Sequence, residues 1–379
     1  MTQIVIPAPD DMHLHVRQGN RMVSAVRYAA MHFGRAIIMP NTMPHTVTVD
    51  QAREYYEQIL TAVPQDASFE PLMTLSLKPE TTPEIIREAK ACGFIHGVKL
   101  YAGHTTNSAG FEDITIFYSA LEEMEKQGLP LLIHGEAAAH IDVFDREKVF
   151  YESTLPQIKK DFPNLRIVCE HITTSVACQY VLDAPSDVVA TITPQHLLVN
   201  RNYMLGSGLR PDAYCMPILK RAEDQMALVV AATSGNPKFF LGTDSAPHPT
   251  FGDPGKAKYA SCGCAGAFTS PVALALYAEV FDGVGAINKL ADFASRFGRE
   301  FYGLPANKGH IILSREEVAI ESQLTFGETH VPVFRSEQPL KWKVERVIWK
   351  DWEYIADSSW GISCKNQKPQ IPKGDGAFY

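Results

Sequence analysis

Eight short runs rich in Ile, Val, Leu and Phe, alternating with longer segments whose apolar residues recur at helical spacing, constrain this chain more than any other feature. The runs are DDMHLHV (10–16), RAIIMP (35–40), EPLMTLSL (70–77), FIHGVKLY (94–101), LPLLIHGE (129–136), LRIVCEH (165–171), DVVATITPQH (187–196) and KFFLGTDS (238–245). Segments such as DQAREYYEQILTAV, TPEIIREAKACG and FYSALEEMEKQG lie between them, and some end in glycine as helix stops do. Alternating strand and helix implies a parallel sheet with helical crossovers. Eight strands predict an α/β fold of the closed (β/α)8 TIM-type barrel class. The competing open, doubly wound sheet lacks its mark, since no GxGxxG turn follows the first run.

Two more helical patterns, SPVALALYAEVF and INKLADFASRFGREFYG, follow the eighth run. The chain then changes character. Short β-like pieces, GHIILS and VAIES, precede a last stretch that carries all but one of the tryptophans. The expected organisation is a barrel over residues 1–305 and a C-terminal extension over 306–379, packed on the barrel and ending in a loose tail.

Composition narrows the function classes. The chain has 379 residues, 45% of them hydrophobic, enough for a sizeable core. Its net charge is −8 and it has no basic run, which argues against a nucleic-acid partner. A small anionic substrate stays compatible, because a local cationic pocket can override the global sign. The start, MTQIVIPAPDD, does not read as a secretory signal, and no apolar run approaches the roughly 18 residues of a membrane span. The 7 cysteines are odd in number and scattered. The closest pair, Cys262 and Cys264, lacks zinc-knuckle spacing, so a reducing, cytoplasmic setting is expected.

The chemistry-bearing residues recur at the C-terminal ends of the runs: His13 and His15 on the first, Lys99 on the fourth, His134 on the fifth, His171 on the sixth and Asp244 on the eighth. In a barrel these ends converge on the face where active sites are built. Residues two apart on a strand share a side, so the HxH pair can reach one metal ion. Lys99 closes an apolar run, where an ammonium is costly unless paired or chemically changed. It either snorkels to the rim or reacts as a neutral amine with carbon dioxide, giving a carbamate able to bridge two ions. His134 and His171 taken singly could be core histidines, and Asp244 a helix N-cap. Taken together, four histidines, a lysine and an aspartate on separate strand ends point to a two-metal hydrolase. Imidazole and oxygen ligands suit zinc, with manganese or cobalt as substitutes. One carboxylate beside the metals can serve as base for the attacking water and acid for the leaving nitrogen.

The ordered motifs MHLHVRQG, MPNTMPHT, GVKLYAGHTTNSAG, LLIHGE, CEHITT, YCMPILKR, LGTDSAPH and CGCAGAF resemble the amidohydrolase superfamily, and within it the dihydroorotases of the shorter bacterial and fungal type. The resemblance runs from about residue 8 to about residue 345. It implies reversible cyclisation of N-carbamoyl-L-aspartate to L-dihydroorotate. It also implies two zinc ions per subunit, one on His13, His15, Lys99 and Asp244 and the other on Lys99, His134 and His171. Lys99 would be N-carboxylated and would bridge the ions together with a hydroxide, with Asp244 as the proton partner. By the same resemblance Arg17, Asn41 and His248 hold the substrate carboxylate. The backbones of Met216 and Ala265 read the ring amide edge, and Thr105 and Thr106 belong to a loop that folds over the substrate. A homodimer is the family's expected assembly. The connection PTFGDPGKAKYAS (249–261) is longer than the usual bacterial one and borders the site. The rival readings are another cyclic amidohydrolase, of hydantoinase or dihydropyrimidinase type, and an inactive scaffold. The carboxylate-binding trio argues against the first, and the complete ligand set against the second.

Overall fold

The structure, a computed structural model, describes residues 3–102, 111, 113–253 and 255–347. Its strands in chain order are β1 (Gln3–Pro7), β2 (Asp10–Leu14), β3 (Arg35–Ile38), β4 (Glu70–Ser76), β5 (Ile95–Tyr101), β6 (Leu131–His134), β7 (Ile167–Cys169), β8 (Val188–Ile192), β9 (Phe239–Leu241), β10 (His310–Ser314), β11 (Gln323–Phe326), β12 (Thr329–Pro332) and β13 (Lys343–Val347). Strands β2 to β9 form one parallel sheet in chain order. It closes through the Leu14–Ser245 bridge, with Asp244 N–H donating to His13 O at 2.9 Å and His15 N–H to Ser245 O at 3.2 Å. The eight runs of the sequence are the eight barrel strands, and the fold is the α/β barrel expected from them.

The crossover helices carry ordinary start and stop chemistry. Thr48 opens helix Val49–Ala62 with a full capping box to Gln51, and Thr82 caps Pro83–Ala91 with Pro83 in its first turn. Gly128, at φ 62°, ends Tyr118–Gln127 in the left-handed conformation that glycine adopts freely.

Inside the barrel, side chains alternate between the lumen and the helix layer. Met12, Ile37, Leu72, Leu132, Val168, Val189 and Phe240 form a small core of their own, separate from the large cluster between sheet and helices. Gly97 leaves room for it, since a Cβ there would lie 3.0 Å from Leu132 Cγ. Two residues onward along several strands the inward positions turn polar: Gly97 is followed by Lys99, Leu132 by His134, Val168 by Glu170 and Val189 by Thr191. One end of the lumen is therefore oily and the other holds the ionisable groups.

The oily end is closed by residues expected as one helix, INKLADFASRFGREFYG. They form a 3-10 turn (Ile287–Lys289) and two short helices, Leu290–Ser295 and Phe297–Tyr302. The break at Arg296 seats Phe297 in the lumen core and brings Gly298 against Met12, where a Cβ would lie 2.7 Å from Met12 Cγ.

Outside the barrel, β1, β10 and β13 form a three-stranded antiparallel sheet in the order β1-β10-β13, joining the chain's start to residues past 305. The piece GHIILS contains β10. VAIES forms no strand beyond the single Val318–Leu340 bridge; the neighbouring hairpin is β11–β12. No described helix is long and apolar enough to cross a membrane.

Candidate metal centre and substrate pocket

At the polar end of the barrel one cavity is lined by His13, His15, Arg17, Asn41, Lys99, Tyr101, His134, His171, Met216, Asp244, His248 and Ala265, among others. Every site residue predicted from sequence is there except Thr105 and Thr106, which lie outside the described residues.

The wall of β2 and β9 is tied together by Asp11. Its carboxylate accepts from Thr243 N–H at 2.8 Å, the Thr243 hydroxyl at 2.6 Å and His13 N–H at 3.2 Å. A register irregularity between Asp11 and Leu14 turns the end of β2, so the histidines do not sit on a plain extended strand. Both still aim at one point. His13 Nε2 lies 3.4 Å and His15 Nε2 3.1 Å from Asp244 Oδ1. The ligand atoms of His13, His15 and Asp244 all lie within 4.8 Å of one another, an arrangement that can hold a metal ion.

The outward nitrogens of these rings are engaged behind the site. His13 Nδ1 meets Glu170 Oε2 at 2.8 Å, and His15 Nδ1 meets Asn41 Oδ1 at 2.8 Å. Such partners fix a ring's tautomer and free the other nitrogen for a metal. Glu170 also accepts from the Thr191 hydroxyl at 2.6 Å, and Thr191 Oγ1 in turn accepts from His171 N–H at 2.7 Å. On the other side of the cavity His134 Nε2 meets Glu136 Oε2 at 2.8 Å, leaving His134 Nδ1 facing His171 Nε2 at 3.3 Å.

Lys99 stands among these groups, fully buried, its Nζ without a hydrogen-bond partner among the described residues and 5.5 Å from the Tyr101 ring centroid. Burial pushes its amine down to about 8, against the pull of Glu170 and Asp244. Burial works to raise Asp244, but the His15 hydrogen bond and the charges of His13, His15 and Lys99 bring it to about 2. Burial holds His13 and His171 well below the ordinary histidine value, in the neutral form that binds metal. The aimed histidine nitrogens and the ionised Asp244 carboxylate fit a cationic centre, and the buried Lys99 amine beside them is a polar group that calls for a partner.

Backbone strain concentrates at the same place. Four described non-glycine residues have positive φ, and three are Arg17 at 64°, His171 at 40° and Asp244 at 46°. Such conformations cost on the order of 1–3 kcal/mol each and persist where surrounding contacts impose them. Arg17 thus reaches the pocket through a left-handed turn. Tyr55 donates its hydroxyl to Arg17 O at 2.7 Å, fixing that turn. Arg17 Nε donates to Pro247 O at 2.9 Å, and Nη2 meets His248 Nε2 at 3.1 Å.

Sequence reading missed Glu170, Glu136, Asp11, Tyr101 and Thr191. Glu170 precedes His171, and Glu136 follows His134 by two residues. A carboxylate beside a candidate histidine was the available signal. Asp244 begins no helix, so its possible reading as an N-cap is set aside.

A model of the amidohydrolase family matches residues 4–312. The dihydroorotase of Hahella chejuensis is 51% identical over 348 residues, 91% of this chain and 99% of its own. A crystal structure of dihydroorotase from Campylobacter jejuni superposes with a TM-score of 0.82 at 34% identity, over 90% of this chain and 97% of that one. Dihydroorotase from Saccharomyces cerevisiae, solved with 5-fluoroorotic acid, gives 0.83 at 32% identity, over 91% and 99%. Hydantoinase structures share the barrel at 16% identity or less among those compared, a likeness of fold alone. The chain belongs to the amidohydrolase family and, within it, to the dihydroorotases.

Proposed function

We propose that this dihydroorotase works through two zinc ions, one held by His13, His15, Lys99 and Asp244 and the other by Lys99, His134 and His171, with Lys99 carboxylated to bridge them. The observation that carries this reading is the buried, unpartnered Lys99 amine among four histidines and Asp244 in one cavity. A carbamate there replaces a buried amine that makes no hydrogen bond with an anion matched to two cations. When bound, the ions supply Lewis-acid polarisation of the ring carbonyl and lower the pKa of water toward neutrality.

The chain's own residues do the rest. In the ring-opening direction, Arg17 grips the substrate carboxylate with its guanidinium fork, and Asn41 and His248 complete that subsite. The Arg17–His248 contact supports grouping the two in one subsite. Backbone groups of Met216 and Ala265 read the ring amide edge. Asp244, held in its ionised form, accepts the proton of the attacking water and delivers it to the departing ring nitrogen. Ring closure to dihydroorotate is the reverse. By family resemblance Thr105 and Thr106 cover the substrate.

The wider reading is a cytoplasmic homodimer with a barrel over residues 1–305 and an extension over 306–379. The thiols among the described residues, all free, are in keeping with a reducing compartment. The test is to strip metal with a chelator in carbon-dioxide-free buffer, then restore zinc with and without labelled bicarbonate. Turnover should return fully only with both, together with a carbamate carbon signal absent from Lys99→Ala. Full turnover of metal-free enzyme would refute the reading.

A further inference from the structure

Lys258 lies in the connection 249–261 and is only 3% exposed. An ammonium has three N–H donors, and here all three are taken by main-chain carbonyls: Tyr214 O at 2.8 Å, Cys264 O at 2.9 Å and Gly266 O at 2.8 Å. None goes to a carboxylate. Asp212 acts on it only through its field, and the Tyr214 ring centroid lies 5.8 Å away. A buried cation hydrogen-bonded only to carbonyls is a costly arrangement, and mere chain cohesion could be had from neutral groups.

The carbonyls it gathers belong to the two segments that line the substrate pocket. Tyr214 is two residues before Met216, and Cys264 and Gly266 flank Ala265; Met216, Ala265 and Gly266 all face the cavity. Gly266 N–H donates to Tyr214 O at 2.9 Å, so the two segments are also joined directly. The 264–266 segment also packs on residues 246–248 too tightly to admit a side chain: Gly266 has φ 142°, and a Cβ on it would lie 2.4 Å from Ala246 O and 3.0 Å from His248 Cδ2. The Cys264 and Gly266 carbonyls turn to Lys258, while the same segment lies against the His248 ring. His248 Nε2 faces the Arg17 guanidinium, which can only donate, so neutral His248 carries its proton on Nδ1. A continuous path thus runs from Lys258 through the 264–266 segment and His248 to Arg17.

We propose that Lys258 is a positioning residue for substrate recognition. It fixes the main chain at Met216 and Ala265 and, through the 264–266 segment and His248, steadies Arg17. Its donors are used up, so it does not touch the substrate. Burial and then the charges of Arg17 and Lys258 disfavour a protonated His248. This rests on the reading that Met216 and Ala265 face the ring amide edge.

The test compares holoenzyme with Lys258→Met, which keeps length without donors, and Lys258→Gln, which keeps one donor group. Steady-state kinetics with dihydroorotate are read beside zinc content, melting temperature and inhibition by dihydroorotate methylated at either ring nitrogen. The expected result for Lys258→Met is a KM raised roughly tenfold or more, kcat changed less than about threefold and zinc content unchanged, with Lys258→Gln intermediate. Wild-type enzyme should bind at least one methylated analogue more weakly than dihydroorotate, and Lys258→Met should lose most of that discrimination. If wild type does not discriminate, the ring-edge reading fails. If wild type discriminates and Lys258→Met does so equally with an unchanged KM, the positioning role fails. Loss of fold or zinc in both variants would assign Lys258 to stability and overturn the proposal.

Discussion

His134 Nδ1 stands 3.3 Å from His171 Nε2, while Glu136 holds the opposite nitrogen of His134 at 2.8 Å. Burial keeps the His171 ring neutral, and the two facing nitrogens converge beside Lys99. That convergence is what a bound cation requires, and Glu136 is the residue that orients His134 toward it.

Replacing Glu136 with Leu should therefore loosen metal without touching a ligand. Outer partners of ligating histidines are commonly worth about 10–100-fold in metal affinity. Competition against a chromophoric chelator should show one of two sites weakened in that range. Two sites of unchanged affinity would remove Glu136 from this role.

Asp244→Asn should lower turnover by roughly 10²–10⁴-fold, the usual contribution of a positioned acid–base group. Metal content should stay near that of wild type, because the amide oxygen can still face His13 and His15. Stopped-flow kinetics beside elemental analysis separates the two effects; near-normal turnover would take the proton role away from Asp244.

Arg17→Met should act on affinity. Hydrogen bonds to a charged group are worth about 1.5–3 kcal/mol, so KM for dihydroorotate should rise roughly 10–100-fold at unchanged metal content. The effect should be absent for a ring substrate without a carboxylate. An unchanged KM would mean that the carboxylate lies elsewhere.

His32 gives a stability prediction away from the catalytic residues. Burial lowers it to about 4, from 6.5 in an exposed chain. The folded state disfavours the proton that the unfolded state takes up below about 6.5, so its contribution is complete above that pH and is lost as pH falls toward 4. Between pH 7 and 5 this amounts to about 2 kcal/mol. Urea unfolding of wild type and His32→Phe at both values should show the variant losing less stability on acidification. Equal losses would show that His32 is not held neutral.

Much of the fold was legible because barrel strands announce themselves as apolar runs, and the metal-site candidates because inward positions switch from Leu132 to His134 and from Gly97 to Lys99 within one period of the strand. What escaped reading depends on partners far away in sequence. Glu170 acquires its purpose from His13 and Thr191, and β1 becomes a strand only by pairing with β10 some three hundred residues later. Arg17 reaches the pocket through a left-handed residue, which period-two reasoning cannot anticipate. The helix expected over 287–303 is broken at Arg296, and beyond the break Gly298 meets Met12 at the barrel's closed end, a contact with no local signal. Lys258 carries no local signal either, since the carbonyls of Tyr214, Cys264 and Gly266 come together around it only in the fold.

The most direct measurement is an anomalous-difference map at the zinc edge from crystals of the purified enzyme, with electron density sharp enough to resolve the end of Lys99. The expected map has two peaks, one among His13, His15 and Asp244 and one between His134 and His171, with carboxylate density beyond Lys99 Nζ joining them. A bare amine with no peak between His134 and His171 would contradict the two-metal account.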